Sequence, residues 1–361
     1  MRRLLRIVLR IAGVVVAILL LLGAVTATGR YIARAAWEEA HILAARRDIT
    51  DLLADSATPP RTAARLRLVT DVRTFALQHI GLRAAREFTT FVQLDRDTLV
   101  LVLSASRRDT LAAHTWWFPV VGRFPYKGFF DFELAARTAA SMREAGFDTY
   151  LRPASAFSTL GWFDDPLLST TIAQDSAGLA ATVIHELLHT TLFVKGSVVF
   201  NESFASFVGA RGAAEFFRRR GDAHMARRAD LEWEDDKLLG AFWEATASKI
   251  DSVFAVPGRT SSARIAARDS VYGVMRAVLR RDIAPRLRTL DGARLSRLQL
   301  DNAALLARRT YASELYLFDE LHRRNGGDLA STITLVRRLV ATASDPYAAL
   351  RSWMERPEAR R

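Results

Sequence analysis

The stretch Ala180-Ala-Thr-Val-Ile-His185-Glu186-Leu-Leu-His189-Thr-Thr-Leu-Phe-Val194 is apolar almost all round when wound as a helix, except at two histidines and a glutamate. A helix apolar on every face is normally buried. Ionisable groups taken out of water without partners cost several kcal/mol each, so these neighbours need a shared explanation, and a bound metal ion supplies one. His185 and His189 are i and i+4, which sets them on one helix face with Cβ atoms about 5–6 Å apart, within reach of a single ion. Glu186 stands roughly 100° further round. There it lies beside the ion without having to ligate it and can take a proton from water as general base. This His-Glu-x-x-His spacing is that of zinc hydrolases; the competing reading is two histidines hydrogen-bonded in a core.

A catalytic zinc site needs a third protein ligand and an open position for water. After the helix, Lys195-Gly-Ser-Val-Val-Phe200 reads as a short loop, and Asn201 as the N-cap of a second helix with Glu202 in its first turn and Phe204, Phe207 and Val208 facing the core. A helix, a turn and an antiparallel return helix would carry Glu202 back towards the two histidines and complete a His-His-Glu site for one Zn2+. The alternative for Glu202 is a first-turn carboxylate favoured by the helix dipole, and the ligand role is preferred. Ser206, one turn on, suits either a partner that orients a ligand or a small residue lining a helix contact.

Beyond the metal site, Ser158-Thr-Leu-Gly-Trp-Phe-Asp-Asp-Pro-Leu-Leu168 and Phe200-Asn-Glu-Ser-Phe-Ala205 are similar to the bacterial predicted-aminopeptidase family of membrane-associated zinc metallopeptidases. The likeness takes in Arg30-Tyr31, Trp116-Trp-Phe-Pro-Val-Val-Gly122, Tyr126-Lys-Gly-Phe-Phe130 and the stretch from Asp301-Asn302-Ala303 to Tyr311, and so most of the chain outside the leader. It implies a gluzincin-like peptidase with His185, His189 and Glu202 on zinc and Glu186 as base. Tyr311 would give a hydroxyl to the tetrahedral oxyanion and Asn302 a further substrate contact, although a core role competes for each. Many relatives carry cysteines where this chain has Trp117 and Arg123, a glutamine where it has Thr190, and some a lipid-modified cysteine after the leader. With no cysteine at all, neither a disulfide nor lipidation is open to this chain.

In zinc peptidases with this helix, a strand just upstream commonly forms the edge along which a peptide substrate adds. Ser158, Thr159, Leu160 and Gly161, up to Trp162, are the candidate edge here, and an ordinary edge strand is the alternative. An aminopeptidase also needs a carboxylate for the substrate's ammonium group. Asp164 and Asp165 are nearest in sequence, but Asp165-Pro166 also reads as a cap with proline in the first helical position, which leaves Asp164 as the open candidate.

The basic start Met1-Arg-Arg-Leu-Leu-Arg6 precedes a nearly unbroken apolar run over residues 11–29, long enough to cross a bilayer as a helix. By the positive-inside rule the amino terminus is cytoplasmic, which places a single-pass protein in the bacterial inner membrane with its catalytic part in the periplasm or another extracytoplasmic space. Small residues at Val25-Thr-Ala27 leave cleavage of a signal peptide, and secretion, as the alternative. The net charge of +12 is spread through helices as arginine, with no aromatic-basic module of the nucleic-acid-binding kind, so a nucleic-acid partner is not expected. An anionic membrane surface is the more natural use of that charge; the other expected partner is a peptide or protein substrate.

Periodicity and breakers give an α+β chain, a mixed sheet, then the metal helix, then a mostly helical carboxy-terminal part, and the resemblance implies that its fold is zincin-like. Helices are expected over 31–55, 61–78 and 130–144, with Pro59-Pro60 separating the first two, and strands over 88–93, 98–104 and 147–151. After Gly221 the pattern is helical, broken at Pro257-Gly258, Asp291-Gly292 and Asn325-Gly-Gly327. The division is residues 1–29 as leader, 30–220 as the α+β zinc-binding catalytic part and 221–361 as its helical continuation. An aminopeptidase is the expected activity; the alternatives are an envelope endopeptidase with an open cleft and a membrane-tethered scaffold without catalysis, against which the intact set of His185, Glu186, His189 and Glu202 argues.

Overall fold

The computed structural model describes residues 10–11, 13–15, 26–118, 122–154 and 166–355. Its longer helices are α1 (Ala27–Ala44), α2 (Pro60–Phe75), α3 (Phe132–Glu144), α4 (Ser176–Thr191), α5 (Val198–Arg219), α6 (Ala223–Phe254), α7 (Ser261–Val278), α8 (Asn302–Arg309), α9 (Leu315–Arg324), α10 (Leu329–Val340) and α11 (Pro346–Met354). The strands are β1 (Arg47–Asp48), β2 (Thr90–Val92), β3 (Val100–Arg107), β4 (Trp116–Phe118), β5 (Gly122–Phe124), β6 (Tyr126–Phe129), β7 (Phe147–Ala154) and β8 (Leu167–Leu168). No helix among the described residues is long and apolar enough to cross a membrane, and most of the apolar run 11–29 lies outside them.

The break at Pro59-Pro60 is where the sequence puts it: Pro60 opens α2, where a missing N–H costs nothing. The helix expected over 31–55 instead ends at Ala44, because Arg47 and Asp48 pair with Phe91 and Thr90. Among the described residues the strands form two three-stranded sheets and a hairpin. β1, β2 and β8 form a mixed sheet, with β2 antiparallel to β1 and parallel to β8. β3 lies antiparallel between β6 and β7, and β4 with β5 makes the hairpin. The strands expected over 88–93 and 98–104 exist but belong to different sheets, so the turn between them links sheets rather than pairing neighbours. β7 is an edge strand, which is why Pro153, with no N–H to give, is tolerated in it.

Helix α4 runs through the main core. Asp175 caps its first turn by accepting the Gly178 N–H at 2.8 Å, and Leu179, Ala180, Val183, Ile184, Leu187 and Leu188 are buried, each large one contributing about 1.5–3 kcal/mol. Helix α5 lies against it and buries Phe200, Phe204 and Phe207 in an aromatic stack with Phe318. This core continues from Ile49 to Leu350, so α9, α10 and α11 pack into the same interior as the helices of the site.

The α4–α5 turn differs from expectation. Helix α5 begins at Val198, so Asn201 is inside it and is not its N-cap. The Asn201 amide instead accepts from the Val194 N–H and donates to the Val194 carbonyl, both at 2.9 Å. It staples the loop from within, and Glu202 falls in the second turn, beyond the reach of a capping role.

Candidate metal centre and its surroundings

His185 and His189 project from α4 and Glu202 from α5. The two Nε2 atoms are 3.2 Å apart; His185 Nε2 is 3.3 Å from Glu202 Oε2, and His189 Nε2 is 3.6 Å from Glu202 Oε1. Among the described residues this is the cluster of three histidine and acidic side chains whose ligand atoms lie close enough to hold a metal ion. The side chains are 15–22 % exposed, so the cluster opens to solvent on one side.

Burial works against charge on His185, but the hydrogen bond to Glu202 and the charges of Glu186 and Glu202 outweigh it and raise its pKa. Burial and the neighbouring His185 push His189 down to about 4, so its imidazole is neutral at pH 7 and its Nε2 can serve as a ligand. Burial would also protonate Glu202, yet His185, His189 and Arg152 hold its pKa below the usual range. The buried His189 Nδ1 has no hydrogen-bond partner among the described residues.

Tyr311, 38 % exposed, is near enough to this group to feel the charges of Glu202 and Glu186. Burial of its phenol and the charges of Glu202 and Glu186 raise its pKa, so it remains a hydrogen-bond donor at pH 7. Two supports hold it. Ser203, the neighbour of Glu202, accepts the Ser313 N–H at 3.0 Å, which hangs the 310–313 turn on α5. Arg152 Nη2 reaches the Tyr311 hydroxyl at 3.5 Å, and its guanidinium carbon lies 5.6 Å from the ring centre.

Sequence reading missed Arg152 and gave Tyr126, which lies in a segment of the family likeness, no role at the site. Tyr126, on β6, is pushed up to about 12 by burial and then by Tyr311 and Glu202, which marks it as another neighbour of the cluster. The signal for Arg152 was the alternation Asp148-x-Tyr150-x-Arg152, which puts three polar side chains on one face of a strand.

Asn302 is not at the site. Its side chain is fully buried, accepts from the Tyr272 hydroxyl at 2.7 Å and donates to the carbonyls of Arg107 and Thr110 at 2.9 and 3.0 Å. With both amide ends occupied it has nothing to offer a substrate. Ser206 donates to the Glu202 carbonyl at 2.9 Å, a helix-internal bond, and does not orient the Glu202 carboxylate. Thr190 turns towards the loop before β2 and donates to the Arg83 carbonyl at 2.5 Å. Ser158, Thr159, Leu160, Gly161 and Asp164, with Trp162 and Asp165, lie outside the described residues.

No curated protein and no solved structure matches the chain. The model of one protein family does match, over residues 30–349, a span that takes in α4, α5, β7 and Tyr311. On that match the chain belongs to the family described as Putative aminopeptidase.

Proposed function

We propose that this protein is a zinc-dependent peptidase with a zincin-like catalytic part, acting as an aminopeptidase outside the cytoplasm and held at the bacterial inner membrane by its amino-terminal segment. The observation that carries the zinc reading is the set of separations within the cluster. A tetrahedral ion with ligand bonds of about 2.0–2.1 Å keeps its donor atoms about 3.3 Å apart, and here they are 3.2, 3.3 and 3.6 Å. Two imidazole nitrogens with one carboxylate oxygen is also a donor set that zinc favours. His185, His189 and Glu202 would hold the ion. When bound there, zinc supplies Lewis acidity, which makes water easier to deprotonate and a carbonyl easier to attack.

The remaining work falls to the chain's own groups. Glu186, whose charge is felt by both His185 and Tyr311, accepts the proton of the attacking water and passes it to the leaving amine. Tyr311, kept protonated, donates a hydrogen bond to the oxyanion that develops on the scissile carbonyl. The aminopeptidase assignment is supported by the family, and the location by the basic start and the apolar run over 11–29.

The test is cleavage of a peptide library by the purified full chain, with free and acetylated amino termini compared and Glu186→Gln as blank. Zinc-dependent cleavage confined to free amino termini is expected. Equal cleavage of acetylated peptides would make it an endopeptidase, and no cleavage above the blank with zinc bound would leave the scaffold reading.

A further inference from the structure

Three successive same-face residues of the edge strand β7 grip the segment that ends in Tyr311. Asp148 accepts the Asn302 N–H at 3.2 Å, at the start of α8, and also pairs with the buried Arg268 at 2.5 Å. Tyr150 accepts from Arg308 Nη2 at 3.3 Å, near the end of α8. Arg152 meets the Tyr311 hydroxyl at 3.5 Å, just past the helix. Strand and helix thus run side by side, and each step of two residues along β7 fixes a later point of the 302–311 segment.

The last contact is the longest and most exposed of the three: the Asp148–Asn302 bond is buried and the Tyr150–Arg308 bond half-buried, whereas the Arg152–Tyr311 bond is exposed and at the long end of the range. An exposed, stretched polar contact contributes little to stability, and long contacts of this kind are common where an active site tightens only around its substrate. The donor direction is also fixed. A guanidinium has only N–H donors and does not deprotonate in proteins, so the phenolic oxygen must accept from it and the phenolic proton must point elsewhere.

We infer that Arg152 is a positioning residue for Tyr311: by donating to the phenolic oxygen it turns the phenolic proton away from the guanidinium and towards the side of Glu186 and Glu202. The inference deepens the peptidase reading and rests on it for its catalytic consequence. Asn302 and Tyr150 then serve as the earlier teeth of the same clamp, which is how a fully buried asparagine far from the ligands contributes to the site.

The experiment uses the full chain with 3-fluorotyrosine at its seven tyrosines, the Tyr311 resonance being assigned by its loss in Tyr311→Phe. With zinc held at saturation, Arg152→Met should move that resonance. It should lower kcat on a cleaved peptide by about 10–100-fold with KM changed less than about threefold. In the Tyr311→Phe background the same substitution should add less than about threefold, because the residue acts through the phenol. Arg152→Lys, which still donates, should recover part of the loss. An unmoved resonance, or losses that multiply in the double variant, would overturn the inference. A moved resonance in a chain that cleaves no peptide would uphold the Arg152–Tyr311 contact and sink the peptidase reading instead.

Discussion

Gly209 of α5 sits so close to Ala181 of α4 that a Cβ on the glycine would meet the Ala181 carbonyl oxygen at 2.6 Å and His185 Cβ at 3.3 Å. The helices that carry the ligands therefore touch backbone to backbone at this crossing, and the spacing between Glu202 and the histidines depends on it. Gly209→Ala must push α5 outward, at a cost of about 1–3 kcal/mol. A lower Tm together with weakened zinc binding is expected; a variant that loses stability but binds zinc as before would uncouple the crossing from the site.

Glu186 is the base in this account and is not a ligand. Glu186→Gln should keep its zinc while kcat falls by about 10²–10⁴-fold. Metal content by mass spectrometry and peptide turnover, measured on one preparation, separate the two roles. Turnover within a few-fold of the parent would remove the base assignment.

Asn302→Ala leaves the Tyr272 hydroxyl and the Arg107 and Thr110 carbonyls without their partner, at about 2–4 kcal/mol. Its signature should be a lower melting temperature and a reduced kcat through a less well-held Tyr311, with KM nearly unchanged. A rise in KM at unaltered stability would instead return Asn302 to the substrate contacts.

How much of this was legible in the sequence follows the range of each interaction. His185, Glu186 and His189 are readable because their relation is set inside one helix turn. The return of Glu202 towards the histidines is readable, but the turn that delivers it is not. The residue before Glu202 suited a helix cap, and sequence alone cannot distinguish an asparagine that caps from one that staples Val194 across the turn. The resemblance implies a substrate contact for Asn302, and nothing local announces that Tyr272 and the 107–110 loop enclose it. Arg152 was missed because its partner lies on the far side of the chain, and the strand was expected to stop at residue 151. The strands themselves were visible from their apolar alternation, but their partners were not: β3 pairs with β6 and β7, while β2 is held by β1 and β8.

Away from the site, Asp319 accepts from Lys237 at 2.6 Å, from Arg211 at 2.5 Å and from Trp233 at 3.0 Å, joining α9 to α5 and α6. Burial alone would raise its pKa, but the bonds from Lys237 and Arg211 hold it below the usual carboxylate value. The unfolded chain therefore takes up this proton first on acidification. The stabilisation is complete above about pH 4, the ordinary aspartate range, and fades as pH falls through the lower folded value. Asp319→Asn should cost about 3 kcal/mol at pH 7, and the difference from the parent should shrink below pH 4. Denaturant melts at pH 7 and pH 3 that show a constant difference would contradict this.

In the proposed site His185, His189 and Glu202 together hold one zinc ion. The most direct test of this is equilibrium zinc binding by the full chain, in competition with a chromophoric chelator, for the parent and for Glu202→Gln. One zinc per parent chain is predicted, with affinity at least about 100-fold weaker in the variant. A parent chain that takes up no zinc, or a Glu202→Gln variant that binds it as tightly, would contradict the account.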